Sequence, residues 1–141
     1  MNAQHFRTNT AQKMIEAPLV LLCGGVLYYL TELAWRGRSH WSMAICGALC
    51  FWMLYRMNRL YPRVSLPLRA LAGAFLITVV ELFAGCLFNL GLGLAVWDYS
   101  DLPLNFLGQI CLPFTFVWFL MGFPISGLSR LIRRRVFLAD D

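Results

Sequence analysis

The residues of this sequence best placed to do chemistry are ionisable side chains inside apolar stretches. Glu81 is the clearest case, because apolar residues surround it from Val79 to Phe83. A carboxyl group near the centre of a membrane helix costs roughly 2.5–3.5 kcal/mol on insertion scales, so its presence there requires an explanation. Two interpretations are open: a protonated or arginine-paired carboxyl on a packing face, and a carboxylate that binds a ligand or an ion. We expect Glu81 to face a hydrated pocket or a bound cation rather than a tight ion pair.

Helical spacing gives Glu81 companions on one face. Steps of four residues lead from it to Gly85, Asn89 and Gly93. Glycine at such positions admits a neighbouring backbone, and an asparagine amide can hydrogen-bond across the interface. The pattern therefore predicts a helix contact here, with Asn89 as a second candidate site residue.

A further acidic residue lies near the end of the first apolar stretch. Glu32 precedes Arg36 by four residues, a spacing that allows an ion pair on one helix face. This pair is either a simple interfacial ion pair or part of a ligand site. His40 has no ligand partner at a suitable spacing, so we expect no metal site. Cys46 and Cys50 share a helix face, where buried cysteines usually act as small apolar side chains.

The connection before the last apolar stretch is rich in polar side chains and contains no lysine or arginine. We expect Asp98 to bond the backbone and to order this connection. Asn105 is expected to cap the fourth helix, and Gln109 to lie one turn inside it. The candidate ligand- or ion-binding residues are therefore Glu32, Arg36, Glu81, Asn89, Asp98, Asn105 and Gln109.

Composition identifies the elements that must position these residues. Of the 141 residues, 60% are hydrophobic and 13% are charged, against roughly 45–50% and about 25% in soluble domains. The sequence thus predicts an all-α membrane protein, a single transmembrane domain with a bundle of four helices. No phosphate-binding loop of the G-x-x-x-x-G-K-[ST] type occurs, which argues against nucleotide hydrolysis by this chain. The predicted spans are about 17–35, 41–57, 68–96 and 104–128.

Positive charge predicts the orientation of the four spans. Twelve lysine and arginine residues flank them, and ten fall on one side of the membrane if the N-terminus is inside. The positive-inside rule then makes both termini cytoplasmic. Lysine and arginine residues located between apolar stretches are also more typical of contact with lipid headgroups than of nucleic-acid binding. In this orientation the candidate residues lie towards the outer half, and the inner half is almost purely apolar.

One run of the sequence carries a family resemblance. Residues 97–111 read W-D-Y-S-x-x-P-x-N-x-x-G-x-I-C, and Glu81 with Gly85 forms an E-x-x-x-G pattern upstream. This combination resembles the putative ABC-transporter type IV family (CmpB-like), small bacterial integral membrane proteins. The resemblance covers roughly residues 25–125. It implies a permease in the bacterial cytoplasmic (inner) membrane.

Two classes of function remain open at this point. The first is a small transport protein, permease- or channel-like, with a polar site opening to the outer face. Four short helices barely enclose a pathway, so a homodimer or larger assembly is expected, and the basic cytoplasmic surfaces could meet a partner protein. The second is a membrane scaffold whose buried polar residues serve helix packing. We expect the protein to have no enzymatic activity and no cofactor, because the sequence shows no nucleophile with an adjacent base.

Overall fold

The computed structural model describes the backbone of residues 3–137 and the side chains of residues 14–137. Within these residues the fold is all-α, as predicted, with four α-helices. They are α1 (Ala3–Arg36), α2 (Trp41–Leu60), α3 (Leu66–Gly85) and α4 (Leu112–Arg135). A π-helical turn (Cys86–Gly91) extends α3, and strands β1 (Asn105–Phe106) and β2 (Ile110–Cys111) form an antiparallel hairpin before α4. Arg7 and Lys13, two of the bases used to predict orientation, have side chains outside the described residues.

Local sequence signals explain the turn between α1 and α2. Gly37 has a positive φ of 68°, and its N–H donates to the Leu33 carbonyl at 2.9 Å. Glycine adopts this left-handed conformation without a Cβ penalty, which ends α1. His40 then caps α2, because its Nδ1 accepts a hydrogen bond from the Ser42 N–H at 3.3 Å.

The third and fourth predicted spans have different boundaries in the structure. The third was predicted to continue to residue 96, but the α-helix ends at Gly85 and the π turn at Gly91. The fourth was predicted from residue 104, but α4 begins at Leu112. Side chains that bond nearby backbone groups favour turns over helix, and this segment is rich in them. Apolar character alone therefore overestimated both helices.

Three helices among the described residues are long and apolar enough to cross a membrane: Met14–Arg36, Leu66–Gly91 and Leu112–Arg135. Their outer surfaces are apolar and exposed, with Phe75 and Phe83 at 67% and 73% exposure. Soluble monomers rarely expose contiguous apolar surface on this scale. These helices indicate a multi-pass membrane protein.

Small residues allow the helices to approach closely. α1 packs chiefly against α2, and α3 against α4. A Cβ at Gly47 of α2 would overlap the Tyr28 side chain of α1. A Cβ at Gly122 of α4 would lie 2.8 Å from the Ala70 Cβ of α3. Each pair thus meets at a glycine, as small-residue packing in membranes requires.

The bundle has two chemically distinct ends. The hairpin end carries the α1–α2 turn (37–40) and the irregular segment 92–111, which are linked by a hydrogen bond from Arg36 to Val96. The arginine end carries the α2–α3 turn (61–65) and the last turns of α4. These names are used below.

Candidate functional site

The polar residues of segment 92–111 fold that segment on itself. The Asp98 carboxylate accepts hydrogen bonds from both the hydroxyl and the N–H of Ser100, and these lower the pKa of Asp98. The Asn105 amide donates to the carbonyls of Ser100 and Leu102 at 3.1 and 2.9 Å. Asp98 therefore bonds the backbone as predicted. The prediction that Asn105 caps α4 is wrong, because its amide is used inside the turn and α4 starts seven residues later.

A partly buried amide pair attaches the segment to the π turn at the end of α3. The Asn89 amide nitrogen donates to the Gln109 side-chain oxygen at 2.8 Å and to the Trp97 carbonyl at 2.9 Å. The Asn89 oxygen accepts from the Val96 N–H at 2.7 Å. Gln109 is 3% exposed and lies against Gly85, where a Cβ would come within 2.5 Å of its side-chain oxygen.

This arrangement corrects two predictions about the third and fourth spans. Gln109 lies in the hairpin before α4 rather than one turn inside the helix. Gly93 has a φ of 65° and follows the π turn, so it does not share a helix face with Glu81. Gly85 does admit a close neighbour, but that neighbour is the Gln109 side chain.

The predicted ion pair at the end of α1 forms and reaches the same segment. Arg36 donates to the Glu32 carboxylate at 2.5 Å, and Ser39 donates to the same oxygen at 3.2 Å. A second nitrogen of Arg36 donates to the Val96 carbonyl at 3.2 Å. The pair therefore ties α1 to segment 92–111.

Glu81 occupies a different environment. Its carboxylate is held by two neutral donors, the Tyr99 hydroxyl at 3.2 Å and the Trp118 ring N–H at 2.8 Å. Its residue is 8% exposed, and among residues 14–137 no arginine or lysine forms an ion pair with it. The Tyr99 ring stacks on Phe114 with centroids 4.7 Å apart, which fixes the hydroxyl over the carboxylate. Within the described residues, neutral donors rather than an arginine therefore bond Glu81, and the hydrated pocket or bound cation expected at Glu81 stays a prediction.

Glu81 lies on the wall of a cavity of about 190 Å³ between the four helices. The other polar groups that line the cavity come mainly from α1 and α2, and the remaining lining is apolar or aromatic. None of the other six candidate residues lines it. The lining side chains with a hydroxyl, thiol or indole N–H group are Tyr28, Thr31, Cys46, Cys50, Trp97 and Trp118.

The sequence interpretation missed the partners of Glu81. Tyr99 and Trp118 lie 18 and 37 residues away along the chain, so helical spacing could not connect them to it. The available signal was chemical, because a tyrosine hydroxyl and an indole N–H are the usual donors that aromatic residues bring to a buried acceptor.

The interpretation of the inner half as almost purely apolar is also wrong. At the arginine end, Glu16 accepts hydrogen bonds from Tyr55 at 2.6 Å and from Arg59 at 2.7 Å. Arg69 donates to Asn58 at 3.0 Å between α3 and α2, and both are buried. In the sequence these residues lie at the ends of apolar stretches, where charged residues usually flank a membrane span. The packing of the four helices buries them, which the sequence pattern does not indicate.

Comparison with known proteins gives one match. Residues 40–137 match the model of the family described as Putative ABC-transporter type IV. No curated protein and no solved structure matches the chain. The matched region contains α2, α3, α4, segment 92–111 and Glu81, whereas Glu32 and Arg36 precede it. The family description and the apolar helices together indicate a membrane protein linked to transport. Because the match covers more than half of the 141 residues, the chain belongs to the putative ABC-transporter type IV family.

Proposed function

We propose that this protein is a small transport protein, permease- or channel-like, whose solute site is the cavity at Glu81. The observation that carries the proposal is a buried carboxylate on a cavity wall, whose bonding partners among residues 14–137 are the neutral donors Tyr99 and Trp118. Such a carboxylate is stabilised by a cation, because opposite charges attract strongly where water is scarce. The site is therefore suited to a positively charged solute.

The cavity lining narrows the class of solute. The rings of Tyr28 and Trp118 have centroids 6.1 Å apart and both line the cavity. Aromatic faces attract organic cations as well as apolar groups. The volume of about 190 Å³ is well above the roughly 10–15 Å³ that one water molecule needs, so the cavity has room for a small solute. A small organic cation or amine with an apolar part fits this combination of charge, lining and size.

The proposal includes α2 as a fourth membrane span. α2 starts beside Arg36 and ends where Arg59 bonds Glu16, so it runs alongside most of the candidate span Met14–Arg36. Its 20 residues correspond to about 30 Å of helix, close to the hydrocarbon thickness. With four spans, the positive-inside rule gives cytoplasmic N- and C-termini and an outward-facing hairpin end. The membrane we propose is the bacterial cytoplasmic membrane.

Assembly follows from the small size of the bundle. Exposed apolar faces such as that of Phe75 and Phe83 could pack against lipid or a second copy. Because four helices give little room for a pathway, we propose a homodimer or larger homo-oligomer as the working unit. A cytoplasmic partner protein would meet the arginine end. We assign the chain no enzymatic activity of its own.

The competing function is a membrane scaffold, and one observation favours it. Both carboxylate oxygens of Glu81 already accept a hydrogen bond, and these bonds join α3 to segment 92–111 through Tyr99 and to α4 through Trp118. In this alternative Glu81 serves packing and the cavity binds nothing.

A substitution at Glu81 separates the two functions. Glu81→Gln keeps the shape and an acceptor oxygen but removes the charge, and Glu32→Gln is the matched control for a carboxyl outside the cavity. We expect small organic cations such as tetramethylammonium and tetraethylammonium to raise the melting temperature of the wild type and of Glu32→Gln in detergent. Glu81→Gln should fold but lose that response, and lose cation flux in liposomes. If no cation stabilises the wild type or crosses liposomes that contain it, while Glu81→Leu fails to fold, the scaffold function is correct. If Glu81→Gln binds and transports as the wild type does, Glu81 is structural and the solute site lies elsewhere.

A further inference from the structure

A second cavity lies at the arginine end, on the opposite side of the bundle from Glu81. Its volume is about 290 Å³, and it is lined by residues of α2, α3 and α4 together with Pro62 of the α2–α3 turn. Four of the lining residues are arginines, and no acidic residue is among those described. The arginines are Arg69, Arg130, Arg133 and Arg134.

Two buried donors in the cavity wall have no acceptor within the described residues. They are the Nε of Arg69 and the amide nitrogen of Asn58, whose residues are 9% and 6% exposed. The Asn58 oxygen is already used twice, because it accepts from Arg69 at 3.0 Å and from Ser126 at 3.0 Å. A buried donor without an acceptor costs roughly 1–3 kcal/mol, and more when the group is charged. An acceptor from outside the described residues would remove this cost.

Arg36 at the hairpin end provides an internal comparison. Its Nε is also buried without an acceptor, but the charge of Arg36 is matched by Glu32. Among the side chains that the structure describes, Arg69 has only the neutral Asn58 oxygen as a partner. The missing group at Arg69 is thus both an acceptor and a negative charge.

We propose that the cavity at the arginine end binds a phosphate-bearing anion through Arg69 and Asn58. Planar guanidinium groups match phosphate oxygens geometrically, and the arginines of α4 add positive potential around the same opening. Two sources share this chemistry: the headgroup of an anionic phospholipid and a soluble phosphate. With cytoplasmic termini, the site faces the leaflet and the solution on the cytoplasmic side.

The test uses the full chain, purified and delipidated in a neutral detergent. Melting temperatures are measured with inorganic phosphate against chloride at equal ionic strength, and with phosphatidylglycerol against phosphatidylcholine in mixed micelles. A response to inorganic phosphate identifies a soluble phosphate as the ligand, and a response to phosphatidylglycerol alone identifies a lipid headgroup. No response to either overturns the proposal.

Three variants make the test specific. Asn58→Asp keeps the oxygen that accepts from Arg69 and Ser126 but supplies the missing charge, so it should hold the melting temperature and lose the response. Arg134→Gln should raise the concentration for half the response by about tenfold, equal to about 1.4 kcal/mol. Arg135→Gln removes the same charge one residue on, outside the lining, and should change that concentration less than twofold. An Arg135→Gln variant as impaired as Arg134→Gln, or an Asn58→Asp variant that responds fully, contradicts a built site.

Discussion

At the hairpin end, polar side chains attach an irregular segment to the helices, whereas at the arginine end they join the helices to one another. The Asn89–Gln109 pair holds residues 92–111 against α3. Asn58 instead lies between α3 and α4, where it accepts from Arg69 and from Ser126. The first arrangement shapes a surface above the central cavity, and the second fixes how the helices cross.

The comparison teaches where each kind of site can arise. The polar side chains of segment 92–111 bond mainly within the segment or to the end of α3, and its charged Asp98 does not reach the cavity. The charged side chain that lines the cavity is therefore Glu81 of α3. At the arginine end, two buried donors of the helix contact have no acceptor within residues 14–137, so a ligand can complete the contact. A polar cluster whose donors, acceptors and charges are all matched is a structural network. A cluster that leaves a buried donor or a charge unmatched is a candidate binding site.

The largest expected effect tests the helix contact. Asn58→Leu removes the acceptor shared by Arg69 and Ser126 and leaves a buried guanidinium without its side-chain partner. The single hydroxyl hydrogen of Ser126 can turn to the Gly122 carbonyl, which lies 2.8 Å away, so the loss falls mainly on Arg69. We expect the free energy of unfolding in detergent to fall by about 3 kcal/mol. A change below about 1 kcal/mol, measured by thermal or denaturant unfolding, would show that the arginine end is not held by this contact.

Sequence distance decided which contacts could be predicted. The Glu32–Arg36 pair follows from a spacing of four residues, and the Asp98 turn follows from a polar residue that bonds the backbone two positions on. The Asn58–Ser126 bond joins residues 68 positions apart. No local pattern encodes such a pair, because it depends on how two helix pairs come together.

Element type was predicted better than element ends. The four helices are present, but the apolar stretch from residue 104 hides a hairpin. Leu104 and Leu107 have positive φ values of 53° and 54°, which apolar residues rarely adopt. Leucine side chains do not favour turns, so these two residues did not predict one. The sequence signal for the turn was in their neighbours, because the Gly108 N–H donates a hydrogen bond to the Asn105 side-chain oxygen.

An intermediate effect tests how the hairpin end is attached. A Cβ at Gly85 would meet the Gln109 side chain at 2.5 Å, whereas a Cβ at Gly127 of α4 would meet nothing within 4 Å. Gly85→Ala should therefore displace Gln109 and weaken its bond to Asn89, at a cost of about 2 kcal/mol. Gly127→Ala is the matched control and should be as stable as the wild type or slightly more stable, because alanine favours the helix by up to about 1 kcal/mol.

Limited proteolysis adds a readout specific to the segment. Gly85→Ala should expose residues 92–111 to cleavage before the helices unfold, because the attachment to α3 is lost first. If Gly85→Ala melts like Gly127→Ala and stays resistant to protease, the Asn89–Gln109 pair does not attach the segment.

The smallest expected effect concerns the turn at Asp98 and its dependence on pH. Hydrogen bonds from the Ser100 hydroxyl and N–H hold the pKa of Asp98 below its usual value near 3.8. A carboxyl whose pKa is lower in the folded state contributes stability above its unfolded pKa, and that contribution disappears as the pH falls through the folded value. The wild type should therefore melt slightly above Asp98→Asn from pH 7 to about pH 5, and the gap should close below about pH 4. Asp101→Asn, an exposed acid in the same segment, provides the control for a general loss of charge. If the gap between the wild type and Asp98→Asn is the same at pH 7 and pH 3, the ionised carboxylate does not hold the turn, and the segment depends on its attachment to α3 alone.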